Sequence, residues 1–197
     1  IKRKDSSSIS GLTISGNRGV LRAGDLQWMT AGRGVVHSEM PSGDVTTRGL
    51  QLWVNLASGD KMVEPAYQEL PACQVDLEED ENLTTLTLTQ VPEAREGGVT
   101  VRVIAGSSMG VSQYIKDLSN VKISTHFSSQ VRTRTPTLYL DFRLAPDCSH
   151  TQELEEGWTA FIYTLEGQVR LGDTEVEAHT TALLTREGAM VTLDNTG

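Results

Sequence analysis

The sequence predicts an all-β protein, a barrel or sandwich of many short strands. Three observations carry this reading. Apolar and polar residues alternate in short segments, spaced at roughly 8 to 12 residues along the chain. Glycine-containing turns separate the segments. Almost nowhere does an apolar period of 3.6 residues appear, so the pattern does not call for amphipathic helices. A chain of 197 residues with 38% hydrophobic content has room for one large or two small domains, each with its own core.

The elements follow in order. Residues 1–18, IKRKDSSSISGLTISGNR, are basic and then rich in Ser and Gly; without a period they predict a loop or frayed end. Gly24-Asp25 marks a turn before a strand at Leu26-Gln27-Trp28-Met29. Gly32-Arg33-Gly34 breaks the chain before a second strand that enters through Val35-Val36-His37. Residues 50–56 give the cleanest alternation. Leu50, Leu52, Val54 and Leu56 share one face there, and Gln51, Trp53 and Asn55 the other. Residues 65–71 predict an extended connection, and DLEEDE at 76–81 an exposed acidic linker. TTLTLTQV at 84–91 is rich in strand formers. Gly97-Gly98 separates it from a strand at 99–104. Residues 114–129 are weakly patterned, and 137–144 alternate strongly. Residues 158–165 continue the pattern, with Glu166-Gly167-Gln168 predicting a hairpin into 169–171. Short apolar segments at 182–184 and 191–193 follow, with Gly188 between them.

Composition excludes several classes. The chain has 17 Lys and Arg against 26 Asp and Glu, a net charge of −9 and a pI near 4.9. Such a surface is a poor direct ligand for DNA or RNA, whose phosphates need a positive face. No apolar run approaches the roughly 18 to 20 residues that span a bilayer, and no secretory signal opens the chain. Cys73 and Cys148 lie far apart with no C-x-x-C, which argues against a zinc knuckle or redox pair and for a reducing, intracellular setting. No G-x-G-x-x-G joins a strand to a helix.

The chemistry centres on His37 and Glu39. Two residues apart on a strand, they point to the same face, about 7 Å apart at the backbone. An imidazole beside a carboxylate supplies two donors for a metal such as iron. The same pair also describes a surface hydrogen bond, since H-x-E alone is a weak signal. Around it, Trp28 and Trp53 fit either barrel packing or a pocket wall, and Arg33 either a cation near the site or a turn cap. Gln51 and Asn55 fit either barrel filling or donors to the site. His126, His150 and His179 have no partner at ligand spacing and read as surface histidines.

Five segments together resemble the pirin family of the cupin superfamily: GDLQWMTAGRGVVHSEMP (24–41), GLQLWVNL (49–56), KMVEPAYQEL (61–70), RTPTLYLDF (134–142) and GWTAFIYTLEG (157–167). They cover roughly half of the chain and keep the family's order. The resemblance implies a bicupin, two cupin β-barrels of which the first carries one iron, ferrous or ferric, held by three His and one Glu. His37 and Glu39 match the third His and the Glu. The other two come from an H-x-H on an earlier strand, and no H-x-H occurs in this sequence. The expectation is therefore an incomplete N-terminal barrel, weakly bound iron and a metal-free second barrel.

By boundaries, the resemblance implies an unmatched, disordered 1–18 and a partial N-terminal barrel at 19–72. An acidic linker with a connecting strand follows at 73–97, then a C-terminal barrel at 98–197 with an insertion near 113–130. A truncated isoform or a faulty gene model would produce these departures. The implied activity is of the quercetin 2,3-dioxygenase type on a flavonol-like small molecule, with Glu39 as catalytic base as well as ligand. The family also implies a transcription coregulator of nucleus and cytoplasm whose partners are transcription-factor proteins. The alternative is a catalytically inactive isoform acting only as a protein-interaction module.

Overall fold

Strands make up almost all the regular structure of the computed structural model, which describes residues 8–13, 18–42, 46–80, 83–110 and 131–197. Among these residues the only helical element is one 3-10 turn, Ser58–Asp60, so the all-β expectation holds. The chain divides into two compact units.

The first unit contains β1 (Ser8–Thr13), β2 (Arg18–Arg22), β3 (Leu26–Thr30), β4 (His37–Ser42), β5 (Ala66–Leu70), β6 (Cys73–Asp80) and β7 (Leu83–Gln90). β1 is the centre of an antiparallel sheet ordered β2-β1-β4. β3 pairs with β5, and β6 with β7, in two further antiparallel ribbons. Two expectations are corrected here. Residues 8–13 form a strand rather than a frayed end, and DLEEDE lies largely within β6 rather than in a linker. In both, a neighbouring strand overrides a weak local pattern. β1 is flanked on both edges, and β6 runs in register with the strongly β-forming β7, Asp76 opposite Thr87 and Glu78 opposite Thr85.

The reverse holds at residues 50–56. Their alternation predicts a strand, yet the segment has none, and Leu50, Trp53 and Val54 are exposed. A strand is defined by its ladder, and among the described residues no other strand hydrogen-bonds to this one.

The second unit contains β8 (Glu93–Glu96), β9 (Val99–Ala105) up to Val103, β10 (Tyr139–Leu144) and β11 (Cys148–Glu153). It continues with β12 (Phe161–Tyr163), β13 (Gln168–Leu171), β14 (Thr174–Glu177), β15 (Thr181–Leu183) and β16 (Met190–Asn195). Its core is β9, the middle strand of the sheet β10-β9-β8. Val99, Val101 and Val103 share one buried face, and the latter two are wholly buried. Burying a valine side chain stabilises a fold by about 1.5–3 kcal/mol.

β11, β16, β13 and β14 form a second sheet, and β12 pairs with β15. The hairpin expected at Gly167 is corrected by this topology. Gly167 does turn the chain, with φ at +69°, but β12 before it and β13 after it belong to different sheets. The actual hairpin closes one element later, through Gly172-Asp173 between β13 and β14, with Leu171 opposite Thr174. Gly172 supplies the positive φ, +58°, that a two-residue hairpin loop favours.

On the β12–β15 ribbon Phe161 stands opposite Leu183, and both are exposed, at 51% and 79%. The opposite face carries Ile162 and Ala182, which are half-buried. Among the described residues none of the sheets closes into a barrel.

Candidate metal centre

The strand that carries the site is aimed by the turn before it. Gly34 N–H donates to the Ala31 carbonyl at 2.9 Å, and Arg33 N–H donates to the Val63 carbonyl at 2.9 Å. Gly32 has φ at +52°, and a Cβ there would collide with the Val63 carbonyl oxygen, so the turn can lie this close to Val63 only without a side chain. The Arg33 guanidinium reaches both carboxylate oxygens of Glu64, at 2.8 and 2.6 Å. Of the two readings of Arg33, the structure therefore supports the one in which it secures the turn.

β4 then presents His37 and Glu39 on one face, as the strand alternation requires. His37 Nε2 lies 3.8 Å from Glu39 Oε1, with the side chains 27% and 37% exposed. Two metal–ligand bonds of about 2.0–2.2 Å each can span that gap. The residue types and their spacing thus fit two adjacent ligands of one ion. Among the described residues no cluster of three or more His, Cys, Asp or Glu is placed to hold a metal.

The surroundings of the pair were not legible from the sequence. Across the sheet β2-β1-β4, Glu39 is opposite Gly11, and Gly11 is opposite Gly19. Two of the three positions in this row lack side chains. Over Gly19 lies the carboxylate of Glu69, from β5, which an added Cβ would strike. On the β3–β5 ribbon Gln27 is opposite Glu69 and Met29 is opposite Tyr67, so Gln27, Tyr67 and Glu69 share a face. The Tyr67 hydroxyl donates to Glu69 Oε1 at 2.5 Å and accepts a hydrogen bond from Gln27 Nε2. Burial first, then the bond to Glu69 and the charges of Glu69 and Glu39, hold the Tyr67 phenol above its ordinary value of 10.0, while the Gln27 bond acts the other way. The signal for this trio was the Y-x-E spacing at 67 and 69, within a segment expected to be a mere connection.

The remaining sequence candidates are dispersed. Trp28 lies on the face of β3 opposite to Gln27, the face that carries Leu26 and the buried Leu70, in keeping with packing. Trp53 is 83% exposed. Asn55 accepts a hydrogen bond from Lys61 Nζ at 3.0 Å, and Gln51 is exposed.

His126 lies outside the described residues. His179 is exposed, as expected. His150 corrects its reading as a surface histidine: it sits on β11, its ring 5.0 Å from that of Phe142 and its Nε2 buried without a partner among the described residues. The Cys148 thiol is free and donates to the Gly97 carbonyl at 3.2 Å. The side chain of Cys73 lies outside the described residues.

The fold is all-β, built of short antiparallel strands, one of which carries a histidine and a glutamate side by side. Comparison with known proteins specifies the family. The Pirin family model matches residues 13–54, and that of the Pirin C-terminal cupin domain matches 139–197. Pirin of Homo sapiens is 43% identical over 184 residues, which cover 91% of this chain and 52% of that protein. Among solved structures, GK1651 from Geobacillus kaustophilus is similar with a TM-score of 0.71 at 30% identity, over 96% of this chain and 66% of that one. A quercetin 2,3-dioxygenase from Acinetobacter baumannii is similar with a TM-score of 0.62 at 29% identity, over 96% and 57%. The chain belongs to the pirin family. It spans about half the length of the curated relatives it matches.

Proposed function

We propose that this chain is a pirin-like, iron-binding cupin protein in which His37 and Glu39 supply two of the metal's ligands. We propose further that its chemistry is of the quercetin 2,3-dioxygenase type, on a flavonol-like small molecule. The observation that carries the reading is the same-face pair of imidazole and carboxylate, 3.8 Å apart on β4. The name of the similar Acinetobacter baumannii structure supports the substrate class. Iron, when bound, supplies a Lewis acid and a redox partner for dioxygen. The chain's own residues hold the ion through His37 Nε2 and a Glu39 carboxylate oxygen, and fix the attitude of β4 through the turn at Gly32.

Metal content after loading with ferrous iron under argon tests this. The wild-type chain binds ferrous iron weakly, as equilibrium dialysis reads it, and His37→Ala and Glu39→Ala each lose most of that binding. Equal iron in all three would sink the metal assignment. Consumption of quercetin under air, lost in His37→Ala, tests the reaction class separately.

A second reading, a protein-interaction module that contacts transcription-factor proteins in nucleus and cytoplasm, draws on the exposed Leu50 and Trp53. A pull-down weakened by Trp53→Ala and indifferent to iron would favour it.

A further inference from the structure

As both ligand and base, Glu39 would have two duties that compete for the same lone pairs: a carboxylate bound to a cation is a weaker proton acceptor than a free one. A second carboxylate stands nearby with no such conflict. Glu69 is held over Gly19, two positions along the cross-strand row from Glu39, and is bonded to the Tyr67 hydroxyl.

The Tyr67 hydroxyl has one proton to donate and two lone pairs to accept with. The proton goes to Glu69, and one lone pair takes the Gln27 side-chain N–H. Among the described residues nothing fills the second lone pair. With its donor occupied, this phenol can offer a ligand only an acceptor. It therefore selects a hydroxyl over a carbonyl. Gln27 fixes its orientation from the opposite strand.

From this geometry we propose that Tyr67 and Glu69 form the proton-accepting arm of the site, taking the proton of an enolic or phenolic ligand hydroxyl and leaving Glu39 free to hold metal. The ligand O–H breaks and its electron pair stays on the ligand oxygen. That proton goes to Tyr67 Oη as the Tyr67 proton moves to Glu69 Oε1. The ligand gains the negative charge that Glu69 loses, so nothing else is consumed. Tyr67 is the catalytic residue of this step, Glu69 the terminal acceptor, and Gln27 a positioning residue. The inference rests on the flavonol-type reading above.

The test uses 3-hydroxyflavone, which has one acidic hydroxyl and different absorption bands as neutral molecule and anion. It is titrated by pH in complex with the iron-loaded chain under argon, so no turnover is needed. In the wild type the bound flavonol is an anion at neutral pH. In Tyr67→Phe, which loses the hydroxyl that hydrogen-bonds the ligand oxyanion, the midpoint of its ionisation moves up by about one pH unit or more, the worth of one hydrogen bond to a charged group, whereas in Glu69→Gln, which loses the like charge beside that oxyanion, it moves down. Iron content stays unchanged.

Gly19→Ala gives a third arm with all of these side chains kept. Gly19 does not need a positive φ, so the added Cβ displaces only the far end of the Glu69 side chain. It shifts the midpoint in the direction of Glu69→Gln. Equal midpoints in wild type, Tyr67→Phe and Glu69→Gln would overturn the proton arm and leave the metal–flavonol reading standing. A wild-type chain that binds no flavonol would overturn both.

Discussion

Gly32→Ala is the substitution that most directly joins the fold to the site. Its φ of +52° is in the left-handed region, which costs an alanine about 1–2 kcal/mol, partly offset by about 0.4–1 kcal/mol from a stiffer unfolded chain. The new Cβ also meets backbone, the Val63 carbonyl, which cannot swing aside as a side chain can. Moving that carbonyl breaks its 2.9 Å bond from Arg33 N–H, worth about 1 kcal/mol, and overpacking adds about 1–3 kcal/mol. The expected loss is about 3–4 kcal/mol.

Gly97→Ala is the control. Its φ is also +52°, and an added Cβ there meets nothing within 4 Å, so only the backbone contribution remains, about 1 kcal/mol. Urea unfolding followed by tryptophan fluorescence and by far-ultraviolet circular dichroism measures both. Iron retention, measured alongside, falls for Gly32→Ala and not for Gly97→Ala, because only the first disturbs the entry to β4. Losses equal to within about 0.5 kcal/mol would refute the argument that the Val63 contact governs this turn.

Three more outcomes are expected. Val101→Ala empties two methyl groups from a wholly buried position in β9 and destabilises the second unit by about 2–3 kcal/mol in urea unfolding. Tyr67 and Tyr139 both lie above their ordinary 10.0, Tyr139 through burial and then the charge of Asp141. Raised phenols stabilise fully below about pH 10 and lose that contribution as pH climbs through their folded values, so thermal stability falls there, less steeply in Tyr67→Phe and Tyr139→Phe. Arg33→Ala removes an ion pair with Glu64 in which both side chains are mostly exposed, and costs less than about 1 kcal/mol, a loss that shrinks further in high salt.

What could be read from the sequence was whatever depends on local alternation. Leu26-Gln27-Trp28-Met29, 84–91, 99–104 and 137–144 all became strands, and His37 and Glu39 fell on one face because a strand repeats every two residues. What depends on partners was not legible. Residues 50–56 alternate as well as any, yet without a ladder they are not a strand, whereas Ser- and Gly-containing β1 is one because it lies between two. The same holds at the site. The contact of Glu69 with Gly19 depends on the pairing of β2 with β1 and of β3 with β5, and no spacing along the chain encodes it. Gly167 shows the limit of turn signals: a glycine announces that the chain reverses, not which strand it will meet.

The ribbon of Phe161 and Leu183 bears on how the molecule behaves in bulk. It has oily residues on both surfaces, and the exposed Phe161 and Leu183 offer a neighbouring copy an apolar face. Mutual repulsion between molecules carrying a charge of −9 has to keep them apart. Acidification toward pH 4.9 discharges that shield and favours clustering by way of these apolar side chains.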